Sequence, residues 1–125
     1  MAERPMPNRR ETVRRKVRIG NTKVYFDMGQ YPDGTIGELF IVVEKTGADS
    51  RWYYDEIARL ASKLLQYGCP LDQVAEGWLG TKGKICGAVK GDEKIKMATS
   101  VLDFIGRHLL VYHCGRGELG HIREA

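Results

Sequence analysis

The sequence predicts an α+β fold in which two or three antiparallel strands form a hairpin or small sheet, with three helices following and packing on one face of it. Between residues 12 and 43, apolar and polar residues alternate, whereas beyond residue 50 apolar residues recur at helical spacing. Strands that precede helices, with no β-α-β unit, favour helices on one face of an antiparallel sheet. With 125 residues and 42% hydrophobic composition, the chain can line one core.

The first third of the chain predicts the strands. Residues 12–19 alternate apolar with basic side chains and predict a strand with one face in water. The Gly20-Asn21 pair turns the chain into a second predicted strand, residues 23–28. The turn Tyr31–Gly34 leads to residues 39–43, which are apolar on both faces and predict the buried partner of an antiparallel hairpin.

The rest of the chain predicts three helices. The first is capped by Asp49 or Ser50 and stopped by Gly68 and Pro70. We expect its core face to consist of Tyr53, Ile57, Leu60, Ala61, Leu64 and Leu65. A shorter helix covers residues 72–79, followed by a glycine-rich loop from Gly80 to Gly91. A long last helix is predicted to begin after Asp92 and to bury Ala98, Val101, Leu102, Ile105, Leu109 and Tyr112.

The charge is distributed unevenly along one predicted domain. Residues 1–11 are expected to be a flexible basic leader, residues 12–113 a single ligand-binding domain, and residues 114–125 a polar tail. Residues 1–18 hold seven basic and two acidic residues, while the remainder holds 13 basic and 14 acidic residues. A nearly neutral body argues against nucleic-acid binding by the fold. The basic arm either contacts nucleic acid, is solvated, or protects an edge strand by its charge.

The composition also predicts the cellular compartment of the protein. No stretch of the chain has the length of apolar sequence that a membrane span requires, and no apolar segment follows the N-terminal charges as in a secretory signal. Cys69, Cys86 and Cys114 lie far apart and form no metal-binding or redox pair, so we expect free thiols. The sequence therefore predicts a cytoplasmic protein without a membrane partner.

Motifs for catalysis or metal binding are absent from the sequence. His108, His113 and His121 do not have the spacing of a zinc site, and no serine stands in the G-x-S-x-G motif of a nucleophile. The glycine-rich loop carries Lys82 and Lys84 but lacks the Ser/Thr of a phosphate-binding P-loop. The loop is either a ligand contact or a surface connection. We expect no enzyme activity, no metal and no cofactor.

The predicted last helix carries a possible ligand-binding stripe. Thr99, Asp103 and Arg107 recur every four residues, with Ser100 beside them. One interpretation is an exposed ion pair of little energetic importance. The alternative is that Arg107 holds a phosphate, Asp103 orients Arg107, and the hydroxyls bind a sugar or base edge.

Basic and aromatic residues outside the last helix extend this hypothetical site. Arg59 and Lys84 are further candidates for binding phosphate. Trp52 and Tyr54, at the start of the first helix, are able to stack on a base, although core filling or subunit contact explains such residues equally well.

The order of several motifs resembles the TSCPD domain, which is best known as an appendage of adenosylcobalamin-dependent ribonucleotide reductases. The resemblance spans about residues 23–110. In the signature itself, Thr99, Ser100 and Asp103 match, but Val101 and Leu102 replace its Cys and Pro. The motifs that carry it are Tyr31–Gly34, Gly37–Ile41, Ala58–Leu65, Gly68–Leu71, Trp78–Gly80 and Thr99–Asp103.

The chain also resembles the free-standing phage anti-Thoeris sponges of the first described family. That resemblance implies a homo-oligomer with pockets between subunits that sequesters cyclic ADP-ribose isomers or cyclic di- or trinucleotides, so that bacterial anti-phage defence fails. The alternative is a nucleotide-binding or structural accessory subunit of a ribonucleotide reductase. A third hypothesis is nucleic-acid binding through the basic arm, which predicts an affinity that falls steeply with salt.

Overall fold

The computed structural model describes residues 2–44 and 48–121 and shows an α+β fold. A five-stranded antiparallel sheet, three α-helices and a short 3-10 turn make up this part of the chain. The elements are β1 (Thr12–Ile19), β2 (Thr22–Gln30), β3 (Ile36–Val43), α1 (Ala48–Gln66), α2 (Leu71–Glu76), β4 (Gly87–Lys90), β5 (Met97–Ala98), α3 (Val101–His113) and the 3-10 turn Gly117–Leu119.

The expected sheet of two or three strands is wrong, because the sheet has five strands in the order β3-β2-β1-β4-β5. The two additional strands have four and two residues, too short for an alternating pattern to be recognised. Asp92 does not cap a helix. Its Oδ1 accepts the N–H groups of Lys94 and Ile95, both at 2.9 Å, and so closes the turn between β4 and β5. The last helix begins at Val101 instead, capped by Ser100.

The predicted turn between β2 and β3 is confirmed. The N–H of Gly34 donates to the carbonyl of Tyr31 at 2.8 Å, and Gly34 has a φ of 85°, which glycine adopts without strain. Residues 45–47, between β3 and α1, lie outside the described residues. So do the first residue of the predicted leader and residues 122–125 of the predicted tail.

Helix α3 forms the centre of the core. Phe104, Ile105, Leu109 and Leu110 are fully buried. The ring of Phe104 meets that of Phe26 on β2 edge to face, with centroids 5.8 Å apart. Ala98, which the sequence placed on this helix, lies on β5 instead.

Helix α1 covers the outer edge of β3. The hydroxyl Oγ of Ser62 accepts the N–H of Leu39 at 2.8 Å and lies 3.1 Å from the carbonyl oxygen of Leu39. These contacts satisfy backbone groups that a free strand edge would expose. The face turned toward β3 carries the small residues Ala58 and Ala61, because only short side chains let a helix approach a strand this closely.

The predicted core face of α1 is therefore partly wrong. Ala61 and Leu65 are buried as expected, but Tyr53, Leu60 and Leu64 are 67%, 63% and 46% exposed. Large apolar side chains on an exposed helix face are typical of a surface that contacts another molecule.

The described parts of both predicted terminal segments contact the domain. In the leader, Arg4 donates its N–H to the carbonyl of Gln66 at 2.6 Å, and the guanidinium of Arg10 pairs with Glu38. In the tail, the N–H of His121 donates to the carbonyl of Lys94 at 2.7 Å. Across the described helices, no segment is long and apolar enough to cross a membrane.

Candidate ligand pocket

A cleft of about 240 Å³ lies between α1, the segment after α2 and the start of α3. Tyr53 and Tyr54 form its α1 wall, while Lys82 and Gly83 contribute from the segment that follows α2. Ser100 lies where α3 begins. Residues from three distant parts of the sequence therefore meet at one site.

The signature residues hold the walls of this cleft together. The N–H of Asp103 donates to Ser100 Oγ at 2.8 Å, and the hydroxyl of Ser100 lies 2.8 Å from that of Thr81. The hydroxyl of Thr99 donates to the carbonyl of Thr81 at 2.7 Å, and the N–H of Gly83 donates to the carbonyl of Thr99 at 2.9 Å. The two segments are thus joined by a hydrogen-bonded clamp made of Thr81, Gly83, Thr99, Ser100 and Asp103.

Asp103 is the anchor of the clamp. Its side chain is buried and accepts the N–H groups of Gly80 at 2.8 Å and Thr99 at 3.1 Å. Burial alone would raise the pKa of this carboxyl, but the two N–H groups and the guanidinium of Arg107 together hold the pKa below its ordinary value. Asp103 is therefore ionised at neutral pH and turned into the protein.

The groups left facing the cleft suit an anionic ligand with an aromatic ring. Leu102, in the first turn of α3, lines the cleft together with the buried Val101, and the exposed Lys82 lines it from the segment after α2. A helix N-terminus favours phosphate because its free N–H groups carry partial positive charge. The rings of Tyr53 and Tyr54 supply a stacking surface.

Among the described residues that line the cleft, none is a histidine or a carboxylate. Burial raises the pKa of the Tyr54 phenol, so the phenol stays neutral. The buried pair His108 and Asp92 lies elsewhere, with His108 packed on Phe26 in the core. In the described ranges, no group of histidine, cysteine and carboxylate side chains is placed to hold a metal ion.

The structure brings together only part of the site predicted from sequence. Tyr54 and Ser100 line the cleft, and Thr99 adjoins it. Trp52, 69% exposed, precedes the two tyrosines on α1, and Lys84 is exposed just after the clamp segment. Whether these side chains contact a ligand stays a prediction.

Three of the four charged residues of the predicted site, Arg59, Asp103 and Arg107, lie apart from the cleft wall. Asp103 is buried within the clamp. Arg107 donates to the carbonyl of Leu119 at 3.0 Å and to Asp103 at 3.3 Å, which ties the 3-10 turn to α3. Arg59 pairs with Glu56 and faces a different, larger groove of about 590 Å³ between α1 and β3. The floor of that groove includes Phe40 and Val42, and its charges are of both signs.

Sequence reasoning missed Thr81 and Gly83 as partners of the signature. The hydroxyl of Thr81 also donates to the carbonyl of Trp78 at 2.8 Å, which completes the clamp. A single threonine in a glycine-rich segment gives no periodic signal. Only the fold shows that it faces Ser100.

The chain is a small α+β module with an open cleft beside the first turn of a helix. The chain belongs to the TSCPD domain family, whose profile matches residues 2–113. The resemblance inferred from the ordered motifs is thereby confirmed at the level of the family.

The most informative relatives are vitamin B12-dependent ribonucleotide reductases. The protein from Agrobacterium fabrum is 42% identical over 117 residues, and that from Bradyrhizobium diazoefficiens is 41% identical over the same length; each alignment covers 94% of this chain and 9% of the relative. The Rhodopirellula baltica reductase is 32% identical over 104 residues, 83% of this chain and 10% of its own. The chain thus spans about a tenth of the length of these reductases, in which the domain is an appendage. No solved structure matches the chain significantly.

Proposed function

We propose that this protein is a non-catalytic, nucleotide-binding accessory module of a vitamin B12-dependent ribonucleotide reductase. The observation that carries the proposal is the clamped cleft, in which the first turn of α3, Lys82 and two tyrosines line one site. The names of the relatives support the reductase context. Ribonucleotides are the substrates of such enzymes, so a module that senses nucleotide supply would fit this context.

Binding follows from the placement of the groups. The base stacks on Tyr53 or Tyr54, and a phosphate lies against the first turn of α3 at Leu102 while Lys82 neutralises its charge. The clamp hydroxyls are occupied by protein partners, so they position the cleft walls before the ligand arrives. Such preorganisation lowers the entropy cost of binding.

Sequestration of a cyclic nucleotide signal is the second candidate function. The same cleft would hold a cyclic ADP-ribose isomer or a cyclic oligonucleotide, and the lack of an acid–base pair in it suits a protein that retains its ligand intact. The two functions differ in ligand and partner. An accessory module prefers ordinary nucleotides and binds the reductase, whereas a sponge prefers cyclic signals and acts alone.

Variants of the cleft test ligand binding directly. We expect Tyr54→Ala and Lys82→Gln each to weaken nucleotide binding about tenfold, since one stacking or charge-assisted contact contributes about 1–3 kcal/mol. Isothermal titration calorimetry with a nucleoside triphosphate and with a cyclic ADP-ribose isomer measures both affinities. Lys96→Gln is a matched control, because Lys96 is exposed and lies outside the cleft. Equal affinities for the control and the two cleft variants would place the ligand elsewhere.

We also propose that the protein forms a homodimer through an apolar stripe on α1, defined as Tyr53, Ile57, Leu60 and Leu64. These positions are four, three and four residues apart, the spacing of a coiled-coil seam. In an antiparallel pair, Tyr53 would face the partner's Leu64, and Glu56 would face the partner's Lys63 across the seam. Because Tyr53 and Ile57 also line the cleft, the partner would close its open side.

The dimer makes a sharp prediction. The natural protein should elute with twice the mass of its 14.1 kDa chain at tens of micromolar, and Leu60→Glu/Leu64→Glu should elute as a monomer because four like charges would meet in the seam. Arg51→Glu changes the net charge equally at an exposed position outside the stripe and should remain dimeric. Light scattering after gel filtration gives the masses. A monomeric natural protein, or a dimeric double variant, contradicts the proposal.

A further inference from the structure

Four cations gather on the face of the sheet that points away from the core. Arg18 on β1 lies directly opposite Lys23 on β2 and also directly opposite Lys90 on β4. Lys16 lies two residues before Arg18 and therefore on the same face. Neighbouring strands are about 4.8 Å apart, so the row Lys23-Arg18-Lys90 carries three positive charges across about 10 Å.

Among the described residues, the centre of this row has no carboxylate paired with it. Like charges directly opposite one another in a sheet are destabilising. Among the residues that the structure describes, none of the four cations forms an ion pair with a carboxylate. Asp27 pairs with Arg14 at 2.7 Å. Glu44, whose N–H donates to the carbonyl of Lys23 at 3.1 Å, lies next to Lys23 at one end of the row and also accepts the hydroxyl of Tyr25 at 3.3 Å. Both paired neighbours of Arg18, however, are cations. A row of like charges destabilises the fold, and no internal ion pair offsets this cost at its centre. The row therefore indicates that an anion binds there from outside the protein.

Aromatic side chains stand beside the cations on the same face. Tyr25 lies opposite Lys16 on one side and Val42 on the other, with the ammonium of Lys16 5.7 Å from the centre of its ring. Phe40, two residues before Val42 on the same face, is 48% exposed. Cations interleaved with exposed rings on an open sheet match the needs of a single nucleic-acid strand, whose phosphates seek charge and whose bases stack.

We infer that the outer face of the sheet, centred on Arg18, Lys23 and Lys90, binds single-stranded nucleic acid. This inference does not depend on the proposed function, because the sheet face is separate from the cleft.

The test is the affinity of the full chain for a fluorescent single-stranded 15-mer as a function of salt, measured by anisotropy. We expect Arg18→Gln/Lys90→Gln to reduce the slope of log affinity against log salt by about 1.4, about 0.7 per lost phosphate contact, and to weaken binding at least tenfold. The same variant should melt at a higher temperature than the natural protein, because the like-charge row is relieved. Arg9→Gln/Arg51→Gln removes the same charge from exposed positions off this face and should change neither property.

Several outcomes would overturn the inference. If both double variants weaken binding equally, the contact is general attraction or comes from the basic arm. If the 15-mer binds no better than a duplex of the same length, the open strand is not what is recognised. If the natural protein binds a polyglutamate peptide but no oligonucleotide, the row serves an acidic protein partner.

Discussion

Asp92→Ala should destabilise the protein by about 3–5 kcal/mol, because it removes one partner of a buried charged network. Asp92 is 3% exposed and accepts four hydrogen bonds. Two come from the backbone of the β4–β5 turn, one from the hydroxyl of Tyr112 at 2.9 Å, and one from the ring of His108 at 3.0 Å. Without the carboxylate, the β4–β5 turn loses the two hydrogen bonds that close it. The turn also loses its hydrogen bonds to Tyr112 and His108 on α3. Urea unfolding at pH 7.5 followed by circular dichroism measures the loss.

Tyr112→Phe is the matched control for this network. It removes only one neutral donor and should cost about 1 kcal/mol. If Asp92→Ala costs no more than Tyr112→Phe, the network does not hold the turn.

The same network sets the acid sensitivity of the natural protein. Burial lowers the pKa of His108 despite the adjacent carboxylate. As the pH falls, the unfolded chain therefore protonates this histidine at a higher pH than the folded protein does. The stability of the fold falls as the pH drops below about 6.5. Burial opposes ionisation of Asp92, but His108, the two N–H groups and Tyr112 hold the pKa of Asp92 far below its ordinary value. Its contribution is complete above about pH 3.9 and is lost as the pH falls toward the folded value. Asp92→Ala should lack this second loss.

Asp103→Ala should cost about 3–5 kcal/mol and should abolish ligand binding in the cleft. The side chain is 1% exposed, and its removal leaves the N–H groups of Gly80 and Thr99 and the guanidinium of Arg107 without their acceptor. Nε of Arg107 is already buried without a partner among the described residues, so after the substitution its guanidinium keeps only the carbonyl of Leu119 as an acceptor there. Chemical unfolding and nucleotide titration on the same preparation measure both losses.

Ser100→Ala tests whether the clamp depends on Asp103 or only on the helix cap that Ser100 provides. Loss of the cap alone should cost about 1 kcal/mol and leave Asp103 in place. Equal losses of stability in Ser100→Ala and Asp103→Ala would mean that Asp103 does not anchor the clamp.

The regular part of the fold could be predicted because burial leaves a period in the sequence. Val24, Phe26 and Met28 alternate with polar residues, and all three are buried on β2. The short strands β4 and β5 could not be predicted, since their pairing depends on the neighbouring β1 and on a turn held by Asp92. Local sequence does not contain those partners.

The candidate site was predictable in its residues but not in their roles. The spacing of Thr99, Asp103 and Arg107 indicated one polar stripe, yet Thr99 precedes α3 and Asp103 points into the protein. A buried carboxylate that binds backbone N–H groups has the same sequence spacing as an exposed ion pair. Only the position of the Gly80 to Gly83 segment distinguishes the two.

Retention of a nucleotide by the pure protein tests the central claim most directly. The natural chain is incubated with nucleoside triphosphates, cyclic ADP-ribose isomers and cyclic oligonucleotides, passed through a filter, and then heated, and the released compounds are identified by mass spectrometry. We predict that at least one nucleotide stays with the protein and is recovered intact only after denaturation, an ordinary nucleotide if the protein is an accessory module and a cyclic one if it is a sponge. Recovery of every compound unchanged in the filtrate, or of a cleaved product, would contradict non-catalytic nucleotide binding.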